Sequence, residues 1–112
     1  MNIKVEEQKG IAIVSPEGRL DANTAEELEE SFNELISRSK VYIVVNCKAL
    51  DYLSSAGLRV FLSTAKQLKK LSGRIALADL NENVHQIFEI SGFDSIFSIF
   101  DTAEDAVDCI KR

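Results

Sequence analysis

Val41-Tyr42-Ile43-Val44-Val45 decides the fold. Five consecutive β-branched or aromatic residues favour an extended chain. The run has no polar alternation, so both faces of the strand are covered, as in the centre of a parallel sheet. The flanks agree. Upstream, Ala25, Leu28, Phe32, Leu35 and Ile36 recur at three- and four-residue spacing and form one apolar helix face. Thr24-Ala25-Glu26-Glu27 matches a capping box, with Thr24 as cap, Glu27 reaching back and Asn23 as a competing cap. Glu26, Glu27, Glu30 and Glu34 lie away from the apolar face and read as solvated rather than as a catalytic carboxylate pair. Downstream, residues 46–53 read as a loop and residues 55–71 as a helix ended by Gly73. That helix carries Leu58, Phe61, Leu62, Ala65, Leu68 and Leu71.

The remaining segments extend this pattern in both directions. Residues 3–7 alternate apolar and polar, Gly10 breaks the run, and Ile11-Ala12-Ile13-Val14 follows, which predicts a hairpin. Pro16-Glu17-Gly18 reads as a turn. Ile75-Ala76-Leu77-Ala78 is a further buried strand. Asn81 is placed to cap a third helix bearing Val84, Ile87 and Phe88, with Gly92 beyond its end. Residues 96–100 form the last expected strand, and Asp101 or Thr102 caps a helix with Ala103, Ala106, Val107 and Ile110. The expected fold class is α/β with element order ββαβαβαβα. Right-handed crossovers give a mixed, mostly parallel sheet with about four helices.

At 112 residues, the chain is expected to form a single domain over 1–112. Apolar residues are 46% and charged residues 28%, ordinary values for a packed core. No apolar run is long enough to span a membrane, and residues 1–6 contain no secretory apolar core. The net charge of −5 repels phosphate backbones, so nucleic acid is not an expected partner. Cys47 and Cys109 form no CxxC pair and read as reduced thiols of a cytoplasmic protein. The single histidine, His85, excludes a multi-histidine metal site and reads as a boundary residue of its helix. There is no GxGxxG, no GxxxxGK[ST] and no GxSxG. No enzyme, cofactor or metal is expected, and an interaction module is the leading class.

The informative segment is Leu50-Asp51-Tyr52-Leu53-Ser54-Ser55-Ala56-Gly57-Leu58-Arg59. It follows the most buried strand and opens a helix, where functional groups of open α/β sheets gather. Capping alone would explain one serine there, because its hydroxyl accepts from a free backbone N–H. Arg59 lies four residues after Ser55, on the same helix face. With Lys66, Lys69 and Lys70 it makes this helix basic within an acidic chain.

Tyr52-Leu53-Ser54-Ser55-Ala56-Gly57-Leu58-Arg59-Val60 resembles the signature of the STAS domain family, specifically of bacterial anti-sigma-factor antagonists. Gly18-Arg19-Leu20-Asp21-Ala22-Asn23-Thr24-Ala25 is similar to that family's loop before its first helix. Ser91-Gly92-Phe93-Asp94-Ser95-Ile96-Phe97 resembles its run into the last strand. The resemblance implies a STAS fold and a partner switch. The unphosphorylated antagonist binds an anti-sigma factor that is also a serine kinase, and the sigma factor is released. Phosphorylation breaks that complex, and a PP2C-type phosphatase restores it. By position the phosphoacceptor is Ser55. Many members carry Asp where this chain has Ser54, so a second hydroxyl stands beside the first and Ser54 is the second candidate. The resemblance puts partner contacts on Asp21, Asn23, Thr24, Ser54, Ala56, Gly57, Leu58 and Arg59. A monomer is expected. The alternative is a STAS subunit of a transporter or other regulatory assembly that binds a non-sigma partner.

Overall fold

The computed structural model describes residues 1–110. Strands β1 (Asn2–Gln8) and β2 (Ile11–Leu20) open the chain, followed by α1 (Ala25–Ser37) and β3 (Tyr42–Asn46). Next come β4 (Leu50–Leu53), α2 (Ser55–Lys70), β5 (Arg74–Ala78) and α3 (Glu82–Ser91). A 3-10 turn over Phe93–Ser95 leads to β6 (Ser98–Phe100) and α4 (Ala103–Ile110). The order is ββαββαβαβα, one strand more than the sequence pattern indicates. The strands run β1-β2-β3-β5-β6 across the sheet, and β4 pairs with β2 off that path. Only β1 is antiparallel to its neighbour. The β1–β2 turn is Lys9-Gly10, and both residues take positive φ, which suits a two-residue hairpin.

The central run behaves as its composition dictates. Ile43, Val44 and Val45 have no exposed surface. Successive side chains point to opposite faces. Ile43 and Val45 join the large core under α1, α2 and α3, while Val44 joins a smaller core under α4. Ile75 and Leu77 against Ala76 and Ala78 repeat the same division one strand over. The large core centres on Phe61, whose ring lies 6.3 Å from Phe32, 6.1 Å from Phe88 and 6.5 Å from Phe97.

Three local expectations are corrected. Pro16-Glu17-Gly18 is no turn; it lies inside β2. Pro16 falls beyond Val14, the last residue that β2 pairs with β3, so its missing N–H costs that ladder nothing. Gly18, at φ +96°, bends the strand at a register shift and redirects its end towards β4. Residues 50–53 are a strand rather than loop, because they pair with that redirected end, Arg19 opposite Tyr52 and Leu20 opposite Leu53. The capping box at α1 does not form. Thr24 is already in the helical region (φ −115°, ψ −13°), so its hydroxyl turns back to donate to Arg19 O at 2.7 Å and to accept from Asp21 N at 3.0 Å. Asn23 caps nothing either; its N–H donates to Asp21 Oδ1 at 2.9 Å. The expected caps of α3 and α4 do form, from Asn81 Oδ1 to Val84 N (2.8 Å) and from Thr102 Oγ1 to Asp105 N (3.1 Å).

Gly73 follows α2 but is not its left-handed residue; Ser72 takes that role at φ +59°. Glycine is required at 73 because a Cβ there would overlap the Val41 carbonyl. Phe61→Ala removes the ring that joins three others and should cost about 3–5 kcal/mol, read as a lower urea midpoint with an unchanged slope.

Candidate functional site

The site is built where β2 and β4 end together. Ser54 follows β4 in extended conformation (φ −92°, ψ 174°) and donates its N–H to Leu20 O at 2.9 Å. Its hydroxyl accepts from Gly57 N at 3.4 Å, so Ser54 is the cap of α2. Ser55 is the first helical residue. Its side chain is exposed and has no hydrogen-bond partner among the described residues. Two adjacent serines therefore do different things: one closes the helix end, and the other leaves a free hydroxyl in solvent.

Gly57 brings the helix down onto the strands. A Cβ at that position would stand 2.6 Å from Leu20 Cγ and 2.8 Å from Leu53 Cδ1. Both leucines are buried, so neither can yield freely. Leu58 is buried beside them. The first turn of α2 contains no acidic residue, whereas α1, α3 and α4 each have one or two there. The partial positive charge at this end of the helix is left uncompensated.

The loop between β2 and α1 leaves the same strand end. Asp21 organises it: its carbonyl accepts from Thr24 N (3.1 Å) and Ala25 N (2.9 Å), and its carboxylate is 3.9 Å from Arg19 Nε. The Arg19 guanidinium lies over the Tyr52 ring, 4.1 Å from its centroid. Beside this loop, α1 and α2 form an open groove. Ala25, Ala56 and Val60 line it, with Glu26 and Glu29 on one helix and Arg59 and Ser63 on the other. Arg59 is exposed and makes no ion pair among the described residues.

The fold thus brings Ser54, Ser55, Ala56 and Arg59 to one surface, with the 21–24 loop beginning next to Ser54. Gly57 and Leu58 are buried beneath it. Sequence reading missed the Arg19–Tyr52 pair and the acidic wall of the groove. The first depends on the β2–β4 register, which no local pattern signals; the second depends on how α1 sits beside α2. His85 lies on α3, exposed, 3.9 Å from Glu89. No cluster of metal-ligating residues occurs among the described residues, and no helix there is long and apolar enough to cross a membrane. Both cysteines are free thiols. Burial pushes the Cys47 thiol up to about 12.

A model of the STAS domain matches residues 2–106. The chain belongs to the STAS domain family. BtrV of Bordetella bronchiseptica is 36% identical over 111 residues, covering 99% of this chain and 96% of that one. The anti-sigma F factor antagonist of Paenibacillus polymyxa is 32% identical over 108 residues, covering 96% and 92%. Among solved structures, the anti-sigma factor antagonist SpoIIAA in its unphosphorylated form superimposes with TM-score 0.85 at 21% identity, covering 98% and 96%. At that identity the match speaks for the STAS fold alone: a mostly parallel sheet with four helices.

Two outcomes check the local geometry. Ser54→Ala should cost about 1 kcal/mol of stability, while Ser55→Ala stays within about 0.5 kcal/mol, by thermal denaturation. The unfolded Cys47 thiol ionises near 9.0, whereas the folded one holds its proton to about 12. The native state therefore binds the extra proton between those values, so stability present below pH 9.0 falls as pH rises towards 12. Cys47→Ser should flatten that alkaline loss in a pH series of urea midpoints.

Proposed function

We propose that the protein is a phosphorylation-controlled anti-sigma-factor antagonist and that Ser55 is its phosphoacceptor. The unphosphorylated form binds an anti-sigma factor with serine-kinase activity and frees the sigma factor. Phosphate on Ser55 breaks that complex, and a PP2C-type phosphatase resets it. The protein acts as a cytoplasmic monomer and performs no chemistry of its own. The observation that carries this reading is the unpartnered, exposed Ser55 hydroxyl on the first turn of α2, beside a serine that already supplies the cap. The names of the relatives support the anti-sigma assignment.

The energetics favour an interface switch over a folding switch. A phosphate adds about −1.5 to −2 charges. On the first turn of α2 it meets the positive end of the helix dipole, an interaction worth about 0.3–1 kcal/mol. The domain therefore tolerates the modification. Pressed against a partner's acidic or apolar surface, the same group is desolvated and repelled, at a cost of several kcal/mol. A loss of about 3 kcal/mol weakens binding more than a hundredfold. The interface term is the larger, so binding changes while the fold does not. Asp21, Asn23, Thr24, Ala56 and Arg59 are the surface residues proposed to meet the partner around Ser55. Gly57 and Leu58 act beneath them by holding the helix end in place.

Phosphopeptide mapping of the protein from its own cells in two growth states tests the reading. Ser55 should be modified in one state and free in the other; a chain modified at neither serine in both states would sink it. With the cognate kinase in hand, Ser55→Glu should weaken binding at least a hundredfold, and Ser55→Ala should retain it. Arg59→Glu should weaken the unphosphorylated complex about tenfold, by calorimetry, with an unchanged melting temperature.

A further inference from the structure

The other end of α2 carries a second surface. Leu62, Ala65, Lys66 and Lys69 stand at positions i, i+3, i+4 and i+7, so they share one helix face. That face lies beside the core stripe of Phe61, Thr64 and Leu68, which is fully turned into the sheet. It is only half covered, with Leu62 and Ala65 at the margin of the core, because the sheet ends early: β6 is three residues long and is the edge strand. The result is a groove of about 520 Å³ between α2, the start of β5 and the segment before β6. Leu62, Ala65, Ile75 and Ile96 give it an apolar lining, and Ile96 is 58% exposed. Gly73 contributes no side chain, which keeps one end open.

The charged groups are all of one sign. Lys66, Lys69 and Arg74 line the groove, and no acidic residue does. Neither lysine makes an ion pair among the described residues, in a chain whose net charge is −5. The Arg74 guanidinium is held in place by donating to Ile110 O (3.1 Å) and Ser98 Oγ (3.3 Å). Those two bonds leave further N–H donors for a ligand. Unpaired cations on an acidic protein, beside an apolar trough, complement a molecule with an anionic head and an apolar body. The volume lies in the range of small-molecule sites, about 300–1,000 Å³.

We propose that this groove binds a free anionic amphiphile of the fatty-carboxylate class, with its head on Lys66, Lys69 and Arg74 and its chain along Leu62, Ala65 and Ile96. Ser55 and Lys69 are fourteen residues apart on one helix, about 21 Å at 1.5 Å per residue. That is about two and a half Debye lengths at physiological salt, so the two sites take their ligands independently. The proposal does not rest on phosphorylation of Ser55.

Decanoate below its micellar concentration is the probe, followed by amide NMR shifts on the full chain. Saturable shifts are expected at Leu62, Ala65, Ile75 and Ile96. Lys66→Glu combined with Lys69→Glu should weaken decanoate at least tenfold, while arginine at both positions should retain it. Acetate, which lacks the chain, and decanol, which lacks the charge, should each bind at least tenfold more weakly. The proposal is overturned if decanol equals decanoate, if charge reversal changes nothing, or if the shifts centre on residues 54–60. It is also overturned if phosphatidylglycerol vesicles bind while monomeric decanoate does not, which would make the surface a membrane contact.

Discussion

The absence of a side chain at Gly57 is the constraint on which the candidate site depends. It lets α2 rest directly on Leu20 and Leu53, the last residues of β2 and β4. Any Cβ would lift the helix from both strands at once. That contact is reinforced by the Ser54 N–H to Leu20 O bond, which ties the helix cap to the strand end. The 21–24 loop starts at the same point, so helix end and loop are positioned by one junction. Buried contacts fix a surface assembled in this way, as the proposed switch at Ser55 requires of its binding face.

The same junction explains why two serines are useful. A helix end exposes free N–H groups that something must satisfy. Under the proposed switch, a single serine serving as both cap and acceptor would disturb the helix when modified. Ser54 takes the structural duty, and Ser55 stands clear of it. The uncompensated first turn and the unpaired Arg59 one turn on bring positive charge beside Ser55, facing the Glu26 and Glu29 wall of the groove.

The two faces of the sheet are covered unequally. Three helices cover one face and α4 the other, with the division carried by alternate residues of β3 and β5. The cover fails at the β6 edge, where a three-residue strand meets a sixteen-residue helix. That mismatch in length leaves part of α2 only half covered among the described residues: Leu62 and Ala65 are half-buried at the margin of the core, and Lys66 and Lys69 are exposed. Ser55 and the basic groove are thus products of opposite ends of one helix, each set by where the underlying strands stop.

Much of this was legible in the residues themselves. The Val41–Val45 run specified a strand covered on both faces, because nothing in it tolerates water. The helical apolar faces, the Asn81 and Thr102 caps and the Gly92 stop follow from side chains acting within one turn, so local sequence was sufficient. The motif around Ser55 likewise marked where α2 begins. Other features needed the tertiary structure. Residues 50–53 became a strand only because Gly18 bends β2 to meet them. Thr24 resembled a helix cap, yet its hydroxyl is taken by the loop that Asp21 folds. Which serine caps and which is free depended on the backbone angles at Ser54, set by its bond to Leu20. The pairing of Arg19 with Tyr52 and the walls of both grooves join segments distant in sequence. Short-range periodicity records what a residue does within its own element; contacts between elements depend on where strands end and bend, and that is decided only when the whole chain packs.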